Sequence, residues 1–320
     1  VARGVPMICC WMNTLLKSVG AAALLYWAVQ LTLFVMRHFT APTKANLKRL
    51  GAKSGAWAVV TGASDGIGKA YAVELAKKGF NVFLISRTLS KLEAVAADVE
   101  KFGVKSKVMS VDFIKADEAT YQEIERECNG LQVSVLVNNV GINYEFPHRL
   151  LEETAAKDEA LIHVNVGTTT RMTRIVLAQM VERKAGAIIN LSSMAGRAAN
   201  PMLAVYSGTK AYIDYFTKAI AQEYKKHGII AQSVTPGLVV SNMSKIRKAS
   251  LMVCTPEHIA SHSVGRLGCE YELSPYWFHA IINRVLGNLP LSISLGQLLK
   301  MNEGIQKAAL RKKERQAKSS

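Results

Sequence analysis

The sequence predicts an α/β fold, a doubly wound parallel sheet covered by helices, with an N-terminal transmembrane helix before it. Three observations lead to this prediction. Short apolar runs alternate with amphipathic stretches between residues 55 and 245, the first run leads into a glycine-rich turn, and residues 18–36 carry no charge. Continuous apolar runs suit strands that are buried on both faces, and their alternation with helices is typical of a parallel sheet.

The pattern predicts six strands and five helices. We expect strands at 57–61, 81–86, 107–111, 134–138, 187–191 and 229–235, and helices near 67–78, 89–101, 116–128, 152–182 and 204–226. The chain then divides into an N-terminal segment (1–17), the transmembrane helix (18–36), a basic linker (37–54), the α/β domain (55–244), a substrate-lid and membrane-associated segment (245–300) and a basic tail (301–320).

Residues 18–36 form the predicted membrane anchor. At about 1.5 Å per residue, nineteen helical residues span roughly 28 Å, close to the thickness of the hydrocarbon core. The alternatives are a cleaved signal sequence, for which no small-residue cleavage site follows, and a buried N-terminal helix. Residues 37–53 contain five Lys or Arg, against two before the segment. The positive-inside rule therefore predicts a single pass with the large domain in the cytosol.

The formal charge of +16 is concentrated at the two ends of the chain. Residues 1–53 contain seven Lys or Arg and no acid, and residues 300–320 contain seven against two Glu. Basic ends around a balanced body indicate a membrane surface, and no basic patch is interleaved with aromatic residues to stack bases. We therefore predict no nucleic-acid partner. The five cysteines have no metal-ligand spacing, so we predict no metal.

The first predicted strand runs into a turn with glycines at Gly62, Gly66 and Gly68. Glycines let the backbone turn tightly and approach a pyrophosphate, whose charge is stabilised at a helix N-terminus. The spacing is G-x-x-x-G-x-G rather than the commoner G-x-G-x-x-G. It indicates a dinucleotide site.

Three later residues supply a candidate proton donor and its polar neighbours. Tyr206 and Lys210 are four residues apart on a predicted helix, and Ser193 precedes Tyr206 by thirteen residues at a strand end. A phenol has a pKa of about 10, and a nearby ammonium group favours its ionised form. Tyr206 is therefore the candidate proton donor, with Lys210 expected to lower its pKa. We interpret the adjacent Ser192 as structural.

Together, the glycine turn and the Ser-Tyr-Lys set resemble the short-chain dehydrogenase/reductase family over residues 55–245. The resemblance implies a Rossmann-type sheet and adds Asn165 as a member of a proton relay. It also implies that cofactor contacts come from the glycine turn (Gly62, Ser64, Asp65, Gly66, Ile67 and Gly68), from Asp112 and Asn139 near the adenosine, from Tyr206 and Lys210, and from Pro236, Val239 and Ser241 near the nicotinamide.

The end of the second predicted strand indicates the cofactor. An acidic side chain there binds the ribose 2′-hydroxyl of NAD, whereas an arginine accommodates the 2′-phosphate of NADP. Ser86 stands in the acidic position and Arg87 follows it. We therefore predict NADPH/NADP⁺, with Arg87 among the cofactor-binding residues.

Further motifs resemble one subfamily, the very-long-chain 3-oxoacyl-CoA reductases, which are related to 17β-hydroxysteroid dehydrogenases. They are Leu84-Ile-Ser-Arg-Thr-Leu-Ser-Lys, Met243-Ser-Lys-Ile-Arg-Lys and Ser274-Pro-Tyr-Trp. The resemblance implies NADPH-dependent reduction of 3-oxoacyl-CoA in fatty-acid elongation, at the endoplasmic reticulum membrane, beside the other elongation enzymes. A steroid or retinoid reductase is the alternative enzyme. A non-catalytic membrane scaffold is the remote one.

The segment 245–300 breaks the alternation of strands and helices. Lys245, Arg247 and Lys248 are candidates for contacts with CoA phosphates, or they form a solvated basic loop. Residues 275–299 are apolar but contain Arg284, which argues against a second span. We expect an interfacial helix or the wall of an acyl pocket there.

Overall fold

The structure is a computed structural model, and it describes residues 5–40 and 47–319. The chain divides into two compact units, residues 1–42 and residues 43–320. Among its described residues, the first unit contains one helix, α1 (Val5–Phe39). In the described part of the chain, Trp11–Phe39 is the one helical stretch long and apolar enough to cross a membrane. Its length and composition agree with the predicted transmembrane helix.

The second unit contains a parallel sheet of seven strands. The strands are β1 (Trp57–Thr61), β2 (Asn81–Ser86), β3 (Ser106–Ser110), β4 (Val133–Asn138), β5 (Gly186–Leu191), β6 (Ile229–Val234) and β9 (Glu272–Leu273). Their order in the sheet is β3-β2-β1-β4-β5-β6-β9. A separate parallel pair joins β7 (Leu238–Val239) to β8 (Val253–Cys254). All six predicted strands are confirmed to within one residue.

Helices cover both faces of this sheet. They are α2 (Gly66–Lys77), α3 (Leu89–Glu100), α4 (Glu118–Asn129), α5 (Ala155–Ile162), α6 (Thr169–Glu182), α7 (Ala204–Glu223), α8 (Pro256–Gly265), α9 (Trp277–Asn288) and α10 (Leu291–Ser319). One core cluster joins α2, α3 and α8 to the face that carries Val60. The other joins α4, α6 and α7 to the face that carries Val59. The doubly wound arrangement is confirmed.

The predicted single helix at 152–182 is wrong. A 3₁₀ turn at Leu150–Glu152 comes first, and a π-helical segment, His163–Thr168, separates α5 from α6. The sequence of this segment is β-branched and contains Gly167, which weakens a regular α-helix. Asn165 at its centre bonds to neighbouring elements, so tertiary contacts stabilise the wider turn.

The segment after residue 244 contributes to the α/β core. The two-residue strand β9 pairs with β6, where the Ser233 amide donates to the Tyr271 carbonyl at 2.8 Å. Helix α8 begins at Pro256 after its N-cap Thr255 and packs on the face of α2. Two residues are too short for a periodic pattern, so the sequence analysis missed β9.

Candidate active site

The glycine turn lies between β1 and α2, at the carboxyl edge of the sheet. Gly62 and Gly66 have positive φ angles of 64° and 55°, which side-chain-bearing residues rarely adopt. A Cβ on Gly68 would lie 2.2 Å from the carbonyl oxygen of Gly62. Only glycine permits this close approach of helix to strand, so the turn has the shape that a pyrophosphate requires.

Asn139 holds the glycine turn in place. Its side-chain amide donates to the carbonyls of Thr61 and Gly62, both at 3.1 Å. The Thr61 hydroxyl accepts from the amides of Asn139 and Val140 at 3.0 and 3.1 Å. This network ties β1 to the end of β4. In the sequence, Thr61 was only the last residue of the first predicted strand, with no predicted function.

The rim of the turn carries Ser64, Asp65 and Ile67. The Ser64 and Ser86 hydroxyls are hydrogen-bonded at 2.9 Å, which brings the turn to the end of β2. Asp65 is the N-cap of α2, and its side chain accepts from the Gly66 amide at 2.7 Å and from the Asn242 amide group. Ile67 packs against the core.

Arg87 follows the buried Ser86 at the carboxyl end of β2 and is exposed. The nearby Lys69 is paired with Asp98 at 2.8 Å, with 42% of its side chain exposed. Arg87 therefore offers a guanidinium group at the position predicted for a 2′-phosphate, while the charge of Lys69 is partly neutralised.

Tyr206 and Ser193 come together as the spacing predicts. Tyr206 lies in the first turn of α7 with 8% of its surface exposed, and Ser193 caps the 3₁₀ turn Met194–Gly196 that follows β5. Burial raises the pKa of the Tyr206 phenol, and the hydrogen bond with Ser193 offsets part of this rise. The expectation that the charge of Lys210 lowers this pKa stays a prediction, because the rise comes from burial.

Lys210 is buried beside Tyr206. Its ammonium group is buried, lies 5.9 Å from the centre of the Tyr206 ring, and donates to the Leu191 carbonyl at 2.9 Å. Burial lowers the pKa of Lys210 to about 8, so the side chain is still mostly charged near neutral pH. Ser192 donates to the Lys210 carbonyl at 2.7 Å, in agreement with its structural interpretation.

Asn165 is fully buried in the π-helical segment. Its oxygen accepts from the Ile142 amide at 2.8 Å, and its nitrogen donates to the Thr209 hydroxyl at 3.0 Å. A Cβ built on Gly141 would lie 3.2 Å from the Asn165 oxygen and 3.5 Å from the Lys210 nitrogen. The structure therefore brings all four predicted catalytic residues to one edge of the sheet.

The remaining predicted cofactor residues lie on segments that follow strands. Asp112 follows β3 and accepts from the Ile114 amide at 3.2 Å, whereas Val239 is buried in β7. The Pro236 carbonyl accepts from the Met194 amide at 2.9 Å. Ser241 lies beside the turn, with its Cβ 3.6 Å from a Cβ built on Gly66.

His279 is a residue at this site that the sequence analysis missed. It is 3% exposed in α9; its Nδ1 accepts from the Gly237 amide at 3.1 Å, and its Nε2 lies 3.1 Å from the Met252 carbonyl. These contacts fix the neutral tautomer with hydrogen on Nε2. They join the turn at Pro236 and Gly237 to α9. The sequence signal was weak, a lone histidine within an apolar run.

A cavity of about 750 Å³ lies beside α2, α3 and the segment 240–257. Asp65, Gly66 and Ser241 line its inner end, and Lys69 and Arg247 line its walls. Tyr206 and Lys210 are not among its lining residues. The cavity therefore extends from the glycine turn along α2 and does not reach the predicted catalytic residues.

The site and fold define a class of protein. The family model described as short chain dehydrogenase matches residues 56–251. The chain belongs to the short-chain dehydrogenase family and is an oxidoreductase of that type.

Two relatives are similar over nearly the whole chain. The very-long-chain 3-oxoacyl-CoA reductase of Coprinopsis cinerea is 40% identical over 97% of this chain and 94% of its own length. The protein of the same name from Anas platyrhynchos is 42% identical over 93% of this chain and 97% of its own.

A solved short-chain dehydrogenase from Sphingobium yanoikuyae, in complex with NADPH, superposes with a TM-score of 0.58. It is 25% identical and covers 64% of this chain and 81% of its own. The glycine turn and the exposed Arg87 fit the same cofactor in this chain. The prediction of NADPH/NADP⁺ is supported.

Proposed function

We propose that this chain reduces very-long-chain 3-oxoacyl-CoA to 3-hydroxyacyl-CoA with NADPH. The observation that carries the proposal is identity of about 40% to reductases of that name over more than nine-tenths of the chain. The convergence of Ser193, Tyr206, Lys210 and Asn165 supports a working catalyst over a membrane scaffold.

In the proposed mechanism, NADPH supplies the hydride when it is bound. The Tyr206 phenol donates a proton to the substrate oxygen, and the Ser193 hydroxyl orients that oxygen. The Lys210 ammonium returns a proton to the phenolate left behind. Asn165 lies near Lys210 and holds the Ile142 backbone in place. Burial keeps the phenol protonated, which suits a residue that acts as an acid.

The test is NADPH consumption by the purified full chain in detergent. A 3-oxoacyl-CoA of very long chain is compared with a 17-ketosteroid of equal concentration, because a steroid or retinoid reductase is the nearest alternative. We expect a higher kcat/KM for the acyl-CoA. Preference for the steroid would overturn the proposal. Failure of the intact protein to consume NADPH with either substrate would favour a scaffold.

We further propose that the chain is a single-pass protein of the endoplasmic reticulum membrane that faces the cytosol and works beside other elongation enzymes. The apolar helix α1 and the basic residues after it support this proposal. A very long acyl chain partitions into lipid, so a membrane-anchored reductase meets its substrate at high local concentration.

Helix α9 supports a second contact with lipid. Its inner face carries Tyr276, at the N-cap, and His279, both directed at the core. Its outer face exposes Ile281 and Val285, and Leu289 follows at the C-cap. An exposed apolar stripe of this kind suits an interfacial helix. The outer face of α9 therefore supports the interfacial-helix alternative for this segment.

A further inference from the structure

Three charged side chains from three distant segments meet at Glu145. One carboxylate oxygen accepts from the Lys245 ammonium at 3.0 Å, and the other accepts from the Lys313 ammonium at 2.7 Å. The three side chains are 53%, 59% and 51% exposed respectively. Two positive charges thus share one negative charge at a surface that solutes reach.

This cluster lies between the two segments that flank the reacting residues. Glu145 follows Tyr144, which packs with Tyr206 in one apolar cluster. Lys245 lies four residues after Ser241, in the segment that reaches the glycine turn. The Glu145–Lys245 pair therefore joins the Tyr206 side of the site to the cofactor side.

The backbone around Lys245 fixes the position of this residue. Lys245 has a positive φ of 57°, unusual for a residue with a side chain, and an antiparallel bridge joins Ser241 to Ile246 around it. Such strained positions persist where the surroundings fix them and concentrate at functional sites. Lys313 is fixed on its other side by the ring of Phe146, with its nitrogen 4.8 Å from the ring centre.

The basic residues near Lys245 point to different places. The Arg247 guanidinium donates to the Asn242 side-chain oxygen at 2.8 Å and lines the cavity beside α2. Lys245 instead turns to the side of Tyr206, where α10 supplies the second ammonium. The sequence analysis grouped Lys245, Arg247 and Lys248 as one set, and Lys313 was absent from it.

We propose that Lys245 and Lys313 bind a phosphate group of the CoA half of the substrate, and that Glu145 competes with that phosphate for them. The inference rests on the proposed function, because it assigns a part of the same substrate. Lysine is a common phosphate ligand and acts as a point charge. A phosphate carries more negative charge than one carboxylate and replaces Glu145 between the two ammonium groups.

The test compares two thioesters of one 3-oxoacyl chain, the CoA ester and the N-acetylcysteamine ester, which lacks phosphates. The full chain is assayed in neutral detergent. We expect Lys245→Gln and Lys313→Gln each to raise KM for the CoA ester about three- to fivefold, as half-exposed ion pairs permit. KM for the N-acetylcysteamine ester stays unchanged. Lys307→Gln, an exposed lysine of the same helix, serves as the matched control.

Glu145→Gln distinguishes binding from a structural clasp. If Glu145 competes with phosphate, Glu145→Gln lowers KM for the CoA ester. If the ion pairs only stabilise the structure, Lys245→Gln, Lys313→Gln and Glu145→Gln each raise KM for both esters. Added salt raises KM for the CoA ester in the wild type. It has less effect in a variant that carries both Lys245→Gln and Lys313→Gln. Equal impairment of both esters, or a higher KM in Glu145→Gln, would overturn the proposal.

Direct binding separates this proposal from the proposed function. Equilibrium dialysis of CoA alone needs no turnover. If neither thioester is reduced but both lysine variants weaken CoA binding, the subsite stands and the function fails. If CoA binding is unchanged in both variants while binding to phosphatidylserine vesicles is lost, the lysines serve a lipid surface and the subsite is wrong.

Discussion

At the scale of single residues, burial sets the ionisation of the two central side chains. Tyr206 and Lys210 are each less than a tenth exposed, and burial disfavours the charged form of both. The pKa of Tyr206 therefore rises and that of Lys210 falls to about 8. Near neutral pH the pair is therefore a neutral phenol beside an ammonium group whose pKa is lowered.

Replacing Tyr206 by phenylalanine removes the proposed proton donor and leaves the ring in place. We expect turnover to fall at least about 10²-fold, the usual contribution of a general acid. NADPH binding, measured by protein fluorescence, stays within about twofold because the apolar contacts remain. Tyr215→Phe, at a tyrosine of the same helix that is 76% exposed, is the control. Turnover near the wild-type value would remove Tyr206 from the mechanism.

The lowered pKa of Lys210 predicts a dependence of stability on pH. Below pH 8 the folded and unfolded chains are both protonated at Lys210, so the folded state bears the full cost of a buried charge. Between about pH 8 and pH 10.4 the unfolded chain binds more protons, and stability rises with pH.

Melting temperatures of the wild type and Lys210→Met in detergent measure this effect. The difference isolates Lys210 from other groups. The wild type gains stability relative to the variant, up to about 3 kcal/mol, as pH rises through this window. A difference independent of pH would show that Lys210 has an ordinary pKa.

At the scale of elements, the β1–α2 unit depends on one close approach. Gly68→Ala places a Cβ 2.2 Å from the Gly62 carbonyl oxygen, a backbone atom that cannot easily move. We expect a loss of about 1–3 kcal/mol of stability, typical of overpacking, together with weaker NADPH binding. Thermal unfolding and NADPH titration measure the two effects.

Gly208→Ala is the matched control, since it lies in helix α7 with no atom within 4 Å of the added Cβ. This change gains about 0.5–1 kcal/mol, because alanine loses less backbone entropy than glycine in a helix. Equal effects of the two substitutions would contradict the assignment of Gly68 to a tight contact.

The end of β2 predicts the choice of cofactor. Ser86→Asp combined with Arg87→Ala repels a 2′-phosphate and removes its cation. We expect the ratio of kcat/KM for NADPH to that for NADH to fall and to approach or pass unity. Lys91→Ala, an exposed cation of α3, leaves the ratio unchanged. An undiminished preference for NADPH would shift the assignment to Lys69, despite its pairing with Asp98.

At the scale of the whole molecule, we expect two independent contacts with the membrane. Deletion of residues 1–38 removes most of α1 and leaves α9 with its exposed Ile281 and Val285. The truncated protein should bind vesicles more weakly without becoming freely soluble. Adding Ile281→Asn and Val285→Asn should release it, and Tyr215→Asn, at another exposed site, should not. Sedimentation with vesicles measures the distribution.

If none of the truncated protein sediments with the vesicles, the outer face of α9 has no lipid contact. Orientation is tested on sealed microsomes with the full chain. We expect added protease to digest the catalytic unit. Protection until detergent is added would place that unit in the lumen and contradict the proposed cytosolic orientation.

The sequence by itself determined the six predicted strands up to residue 235, the glycine turn and the Ser193–Tyr206–Lys210 set. These features depend on local periodicity or on spacing within short motifs, and the strand ends agree to within one residue. The apolar α1 was visible for the same reason. A helix that long needs only its own composition to be recognised.

Only the tertiary structure decided the π-helical segment around Asn165, the strand β9, the contacts of His279 and the meeting of Lys245 and Lys313 at Glu145. Lys245 and Lys313 lie 100 and 168 residues from Glu145 in the chain. It also decided that burial raises the pKa of Tyr206, since burial depends on every element around a side chain. Contacts and desolvation arise from the packed whole, and local sequence patterns carry no record of them.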